Sequence, residues 1–257
     1  MRVARISVQG TQAFGVVDGD QGQELVSVID GHPFGEFGLS GLQLPLADVR
    51  LVAPVLPSKV IGLGRNYADH ARELGNEVPD EPIVFLKPST SVIGPNDPIP
   101  YPMLSRDVHH EAELAVVIGR LVREVPIERA LEAVLGYTCA NDVTARDLQR
   151  SDAQWTRAKG FDGFCPIGPW IETDLDASDV AIECRVNGDL RQSARTSLLL
   201  RGIPELIAYV SAFMTLLPGD VILTGTPAGV GPIEVGDSVT VEIEGIGALT
   251  NRVVSSE

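Results

Sequence analysis

Glu111-Ala112-Glu113-Leu114-Ala115-Val116-Val117-Ile118 is the stretch on which the reading of this chain turns. From Leu114 onward it is an unbroken apolar run rich in β-branched residues, the composition of a buried strand. Successive side chains of a strand point to opposite faces, so Glu111 and Glu113 share a face that Ala115 and Val117 continue. Two like charges side by side are unfavourable unless a cation neutralises them. A solvated strand end is the ordinary alternative, so the pattern has meaning only in company.

Toward the C-terminus the company arrives. The segment 137–143 reads as a mostly apolar strand closing on Asp142, a residue type disfavoured within strands but common at turns. A third carboxylate beside Glu111 and Glu113 would make an all-oxygen site, suited to Mg²⁺, Mn²⁺ or Ca²⁺ rather than zinc. The polar segment 146–157, with helical character, carries Arg146, Asp147, Gln149 and Trp155, and Lys159 follows before Gly160-Phe161-Asp162-Gly163. A solvated lysine is its everyday alternative. Strands are expected at 181–186, 221–224, 239–243 and 249–254, with an apolar helix at 203–217. Thr224-Gly225-Thr226-Pro227 ends one of them and offers backbone amides and a hydroxyl to a carboxylate, or simply a turn.

Just past the run, 127–135 has helical spacing; toward the N-terminus, strands are expected at 83–86 and 59–63, with a proline-rich stretch at 95–102. A two-turn helix is predicted at 66–74, with Asn66 as N-cap, Asp69 in its first turn and Gly75 just beyond its end. His70 and Glu73 lie three residues apart on it and share a face. A carboxylate on one imidazole nitrogen fixes the tautomer and strengthens the other nitrogen as a base; a surface pair is the plainer reading. The polar stretch 75–82 reads as a mobile flap, or lid. Residues 1–50 alternate short β-like pieces (3–8, 14–17, 25–28) with Gly- and Asp-rich turns, and 52–57 is a connector. This divides the chain into a small N-terminal domain, 1–55, and a catalytic domain, 56–257. Strands with few helices in mixed order predict an α+β, β-rich architecture, curled and mixed rather than doubly wound.

The 257 residues, with 26 Gly and 18 Pro and a net charge of −15, agree with a turn-rich globular chain. Such charge argues against nucleic acid and against anionic membrane surfaces. An anionic ligand would need local positive charge, from a metal or from Lys and Arg. The three cysteines, Cys139, Cys165 and Cys184, show no C-x-x-C spacing, and reduced thiols of a cytoplasmic protein are expected. No signal peptide or membrane span is read. Common signatures fail: Tyr67 replaces the third glycine after Gly62-Leu63-Gly64, the Gly-rich 225–231 lacks G-K-[ST], no G-x-S-x-G occurs, and Leu114 stands where a zinc helix needs its second histidine.

In order, the surviving motifs resemble the fumarylacetoacetate hydrolase family. The stretches that carry the likeness are Gly64-Arg65-Asn66-Tyr67-Ala68-Asp69-His70, His110-Glu111-Ala112-Glu113-Leu114, Asn141-Asp142-Val143-Thr144-Ala145-Arg146-Asp147, Pro166-Ile167-Gly168-Pro169-Trp170 and Pro218-Gly219-Asp220-Val221-Ile222-Leu223-Thr224-Gly225-Thr226-Pro227. The resemblance spans residues 58–254 and implies a mixed β-sandwich roll with a small N-terminal β domain, commonly as a homodimer. It implies Glu111, Glu113 and Asp142 as metal ligands, for Mg²⁺ or Mn²⁺ with Ca²⁺ as third candidate. It implies His70 and Glu73 as the dyad of the acylpyruvase-like branch, Lys159 as the active-site lysine, and Arg65, Tyr67, Arg146, Gln149 and Thr226 as substrate-contacting positions. His110 departs from the aromatic residue many relatives carry. The implied activity is metal-dependent chemistry on 2-oxo or 1,3-diketo acids through a metal-bound enolate. C–C hydrolysis of an acylpyruvate- or fumarylacetoacetate-type substrate comes first. Isomerisation or decarboxylation follows, of the 2-hydroxyhepta-2,4-diene-1,7-dioate or oxaloacetate type met in aromatic catabolism. A non-catalytic metal- or ligand-binding β-roll is the reading from another class, and it has no use for His70, Glu73 and Lys159 together.

Overall fold

The computed structural model describes every residue except Gln21, Leu74, Asn76, Glu77 and Glu257. The expected strand is there as Ala112–Ile118, and all seven of its residues are buried. It lies between Val134–Asn141, antiparallel, and Val221–Leu223, also antiparallel. Among the described residues this is the middle of a twelve-stranded sheet. From one edge the main path runs Phe37–Pro45, Leu25–Gly31, Thr11–Asp18, Arg2–Val8, Cys165–Glu172 and Val134–Asn141. It continues through Ala112–Ile118, Val221–Leu223 and Val60–Gly64 to Ile83–Lys87. Val221–Leu223 runs parallel to Val60–Gly64, which makes the sheet mixed.

A five-stranded sheet covers one face, in the order Asp189–Arg195, Ala181–Val186, Ser238–Ile243, Gly247–Ser255, Ile99–Tyr101. Alternation along the central strand explains both layers. Leu114, Val116 and Ile118 point into a core shared with Ile182, Cys184, Val239, Val241 and Leu249 of the second sheet. Ala115 and Val117 point the other way, onto Val60, Val221, Leu223 and Ile167. The α+β, β-rich roll expected from the sequence is therefore the architecture observed. The N-terminal strands carry a core of their own, with Ala4, Ile6, Val17 and Val26, and join the main sheet where Arg2 and Val3 pair with Glu172 and Ile171.

Several local expectations change. The helix at 203–217 is Ile203–Phe213: Glu205 accepts the Gly202 N–H at 2.9 Å, and Ile203, Leu206, Ile207 and Val210 face the core at helical spacing. Beyond Met214 the chain is extended, and Leu216 bridges Val122. The helical spacing at 127–135 belongs to 3₁₀ turns over Ile127–Ala133, and Leu135 already lies in the next strand. The short helix is Ala68–Glu73, and Gly75 takes the left-handed φ of 68° expected after it. Asn66 does not cap it. Its amide is spent on Thr224 O and Arg201 O, and its carbonyl accepts the Arg201 N–H, because burial leaves those groups no water to bond. Cys165–Glu172 was unexpected as a central strand because Pro166 and Pro169 each lack a ladder donor. The flap at 75–82 contains Asn76 and Glu77, which lie outside the described residues. No helix among the described residues is long and apolar enough to cross a membrane. All three cysteines are buried and free.

Candidate active site

The register of the central hairpin assembles the site. Ala112 pairs with Asn141 and Glu113 with Ala140, and the Asp142 N–H donates to Glu111 O at 2.8 Å, which continues the ladder by one residue. Glu111 and Asp142 therefore stand opposite each other, on the face that Glu113 shares with Glu111. Oxygens of the three carboxylates lie within 4.8 Å of one another, and all three residues are buried.

Cations answer two of the three. Lys159 donates to Glu111 Oε2 and Asp142 Oδ2, both at 2.6 Å. Arg146 Nη2 donates to Glu111 Oε1 at 2.5 Å, and Lys87 Nζ to Asp142 Oδ1 at 2.5 Å. Burial alone would raise the Glu111 carboxyl, but Lys159 and Arg146 hold it well below the usual carboxylate range. Among the described residues Glu113 has no such partner. Its Oε2 accepts only the Gly225 N–H at 2.6 Å, and burial together with the charges of Asp142 and Glu111 pushes its carboxyl well above the usual range. Gly225 reaches that position at φ +102°, with Asn66 Cβ 2.8 Å from where a side chain would begin. An all-oxygen donor set with a carboxylate short of positive charge fits a hard divalent cation.

Lys87 escaped the sequence reading, which ended its strand one residue early. It is 1% exposed and takes Asp142 and Val143 O. Removing one partner of a buried ion pair strands the other. Lys87→Met is expected to lose ~3–5 kcal/mol of unfolding free energy in EDTA, measured by urea titration. A change within about 0.5 kcal/mol would show that Lys159 alone suffices for Asp142.

On the short helix, His70 Nδ1 meets Glu73 Oε2 at 3.3 Å, which leaves Nε2 as the nitrogen with chemistry to do. Burial lowers the His70 pKa below its ordinary 6.5, with Glu111 and Glu73 opposing, so the imidazole is held in its neutral, basic form. Glu73 Oε1 accepts the Gly229 N–H at 3.0 Å, which ties the helix to the loop after Thr226.

These groups face one cleft of about 380 Å³. Arg65, His70, Glu111, Glu113, Asp142, Arg146, Gln149, Lys159 and Thr226 all line it. Arg65, at φ 59°, has no carboxylate partner among the described residues. Gln149 accepts from Arg146 Nη1 at 2.7 Å. Glu73 stands behind His70. Tyr67 does not line the cleft; its ring is buried and its hydroxyl has no partner among the described residues, close enough to Glu113 for that charge to add to burial in keeping the phenol neutral. The Thr226 hydroxyl donates to Ala112 O and the Gly225 amide serves Glu113, so this loop already holds a carboxylate of the protein itself. Phe85 and Trp155, rings 5.5 Å apart, form an apolar wall, and Lys159 Nζ sits 4.9 Å over Phe85. Phe85 gave no signal in sequence beyond that of any strand residue. Gly62 makes room for it: a Cβ there would fall 2.1 Å from its ring.

A carboxylate triad at the end of a buried hairpin, faced by a His–Glu dyad on a β-rich roll, defines a class that sequence comparison identifies. Residues 59–254 match the fumarylacetoacetate hydrolase C-terminal family, and residues 1–54 the Rv2993c-like N-terminal family. The chain belongs to the fumarylacetoacetate hydrolase family, and it is an enzyme. A solved structure of 5-carboxymethyl-2-hydroxymuconate delta-isomerase from Mycobacterium smegmatis is similar throughout, with 56% identity, all of both chains covered and a TM-score of 0.94. The mitochondrial oxaloacetate tautomerase FAHD2B of Bos taurus is 46% identical over 82% of this chain and 71% of its own. Maleylpyruvate hydrolase from Sphingobium sp. SYK-6, solved with manganese(II) and pyruvate, is 34% identical over all of both chains, with a TM-score of 0.82.

Proposed function

We propose that this cleft binds a small 2-oxo dicarboxylic acid and moves a proton on the carbon next to its 2-oxo group, as an isomerase or tautomerase. One observation carries the reading: a neutral imidazole, oriented by a carboxylate, shares a cleft with three clustered carboxylates and the cations Arg65, Arg146 and Lys159. The relatives at 46% and 56% identity bear tautomerase and isomerase names, which favours this activity over the C–C hydrolysis that the sequence put first.

Glu111, Glu113 and Asp142 would hold the divalent ion, Mg²⁺ or Mn²⁺ by their chemistry. When bound, such an ion supplies Lewis-acid polarisation of a substrate oxygen. The chain's own residues do the rest. Arg65 and Lys159 supply the positive charge that a surface of net charge −15 withholds from an anion. His70 Nε2 takes a proton from C3, and the C–H electron pair moves into the C2–C3 bond as the 2-oxo oxygen gains charge. Return of that proton to oxygen gives the enol; return to a more distant carbon of a conjugated acid gives the isomer. Glu73 holds the ring tautomer through both transfers. Gln149 and Thr226 border the substrate, and the Phe85–Trp155 wall excludes water from one side.

Hydrolysis is the second reading, and the His70–Glu73 dyad together with the maleylpyruvate hydrolase likeness favours it. There His70 would take a proton from water, hydroxide would add to the distal carbonyl, and the broken C–C bond would leave its electron pair on C3. Decarboxylation of oxaloacetate passes through the same enolate. Turnover of oxaloacetate, a hydroxymuconate-type diacid and acylpyruvates, with Mg²⁺ and with EDTA, separates the readings. Acylpyruvate cleavage faster than any proton transfer would overturn the first in favour of the second.

The His70 environment sets the pH profile. A base works when unprotonated, and burial lowers this imidazole, so kcat/KM should stay high through neutral pH and fall only as pH drops below about 6.5. A limb centred above 7 would contradict the assignment. We also propose that the protein is a homodimer, as the family resemblance implies; a light-scattering mass near 27.4 kDa at micromolar concentration would contradict it.

A further inference from the structure

Gln192 lies outside every motif of the site, yet it is 1% exposed and all four hydrogen-bonding positions of its amide are used. It belongs to Asp189–Arg195, the edge strand of the five-stranded sheet, whereas the carboxylates belong to the twelve-stranded one. Its Oε1 accepts the Ala112 N–H at 3.0 Å and faces His110 Nδ1 at 3.1 Å. Its Nε2 donates to Thr226 Oγ1 and to Pro227 O, both at 2.8 Å. The amide can point only this way, since a backbone N–H must donate and a carbonyl oxygen must accept.

Ala112 is the residue between Glu111 and Glu113. On one side it pairs with Asn141, but on the other the neighbouring strand Val221–Leu223 pairs only with Ala115, Val116 and Val117. At Ala112 that partner strand has left, and the end of the ligand strand would carry an unmet backbone N–H and C=O. Gln192 takes the N–H, and Thr226, held by Gln192, donates to the C=O at 2.8 Å. A side-chain amide and a hydroxyl thus stand in for the missing strand at the residue that sets the spacing of two carboxylates.

Resting on the metal reading above, we infer that Gln192 is a positioning residue for the divalent-ion site: it fixes the Glu111–Glu113 strand end against the 225–227 loop and so sets the geometry of the ligands. Groups that orient ligands from behind are worth ~10–100-fold in metal affinity. A residue that merely fastened the two sheets would instead change stability and leave the affinity of the folded protein intact.

The test is Mn²⁺ titration calorimetry on wild type, Gln192→Leu and Thr226→Val, with melting temperature in EDTA measured alongside. Gln192→Leu keeps the size and loses every bond; it should bind Mn²⁺ at least ~10-fold more weakly while still melting cooperatively. Thr226→Val removes the hydroxyl that joins Gln192 Nε2 to Ala112 O but leaves Gln192 its bonds to the Ala112 N–H and Pro227 O; it should weaken binding ~3–10-fold, a smaller loss that covers the case in which the leucine variant does not fold. Wild-type affinity in whichever variant folds overturns the inference and makes Gln192 a sheet fastener. Absence of Mn²⁺ binding by the wild type overturns the metal reading itself, and this inference with it.

Discussion

Glu113→Gln should abolish the stabilisation that Mg²⁺ or Mn²⁺ gives the wild type, and with it nearly all turnover. The amide keeps an acceptor for the Gly225 N–H and the volume of the side chain, so little is lost but charge. In wild type, an ion at 100 times its Kd should add about 2.7 kcal/mol of stability by mass action. In the variant that gain vanishes. Without metal the order reverses: Glu113 is buried beside Glu111 and Asp142 with no cation of its own among the described residues, so its neutralisation relieves repulsion. In EDTA the variant should therefore melt no lower than wild type. Loss of a Lewis acid worth several kcal/mol corresponds to ~10²-fold or more in rate, at about 1.4 kcal/mol per tenfold. An undiminished Mn²⁺ shift in the variant would remove Glu113 from the site.

His70→Ala should lose ~10²–10⁴-fold in kcat with metal affinity unchanged, because the imidazole moves protons and is not a ligand. Glu73→Gln should lose less, since an amide can still accept from Nδ1–H but brings no charge. The double variant should be no slower than His70→Ala, as the two act as one unit. Comparison of kcat with metal content across the three variants checks this. Near-wild-type turnover by His70→Ala would leave the helix only a structural role. A variant that loses hydrolysis but keeps proton transfer would place His70 on water instead of on C3.

The parts of this molecule that were legible in sequence are those with a period or a long motif. The central strand was readable because five successive apolar residues, Leu114–Ile118, are suited to burial on both faces, and the carboxylates because a period of two puts Glu111 and Glu113 together. The convergence of Asp142 was readable as a suspicion; only the hairpin register, Ala112 opposite Asn141, makes it a neighbour of Glu111. Asn66 shows the limit of local rules. A cap residue before a helix is good local chemistry, yet two carbonyls from distant segments, one buried and one partly buried, competed for the same amide and won. Lys87 and Gln192 were invisible for a related reason. A lysine at a strand end and a glutamine among polar neighbours look solvated, and only tertiary pairing across 55 residues, and across 80, reveals them as buried and bonded. The prolines of Cys165–Glu172 concealed a central strand; Pro169 is tolerated because it falls where the ladder shifts register, between the Tyr137–Glu172 and Cys139–Gly168 pairs.

The central claim is that His70 and a divalent ion together make C3 of a 2-oxo acid exchange its protons. The direct measurement is incorporation of solvent deuterium at C3 of oxaloacetate, followed by NMR in D₂O against a blank of metal alone. The account predicts enzyme-dependent exchange with Mg²⁺ or Mn²⁺ that collapses to the blank in EDTA and in His70→Ala. Exchange that persists undiminished in EDTA, or in His70→Ala loaded with metal, would contradict it.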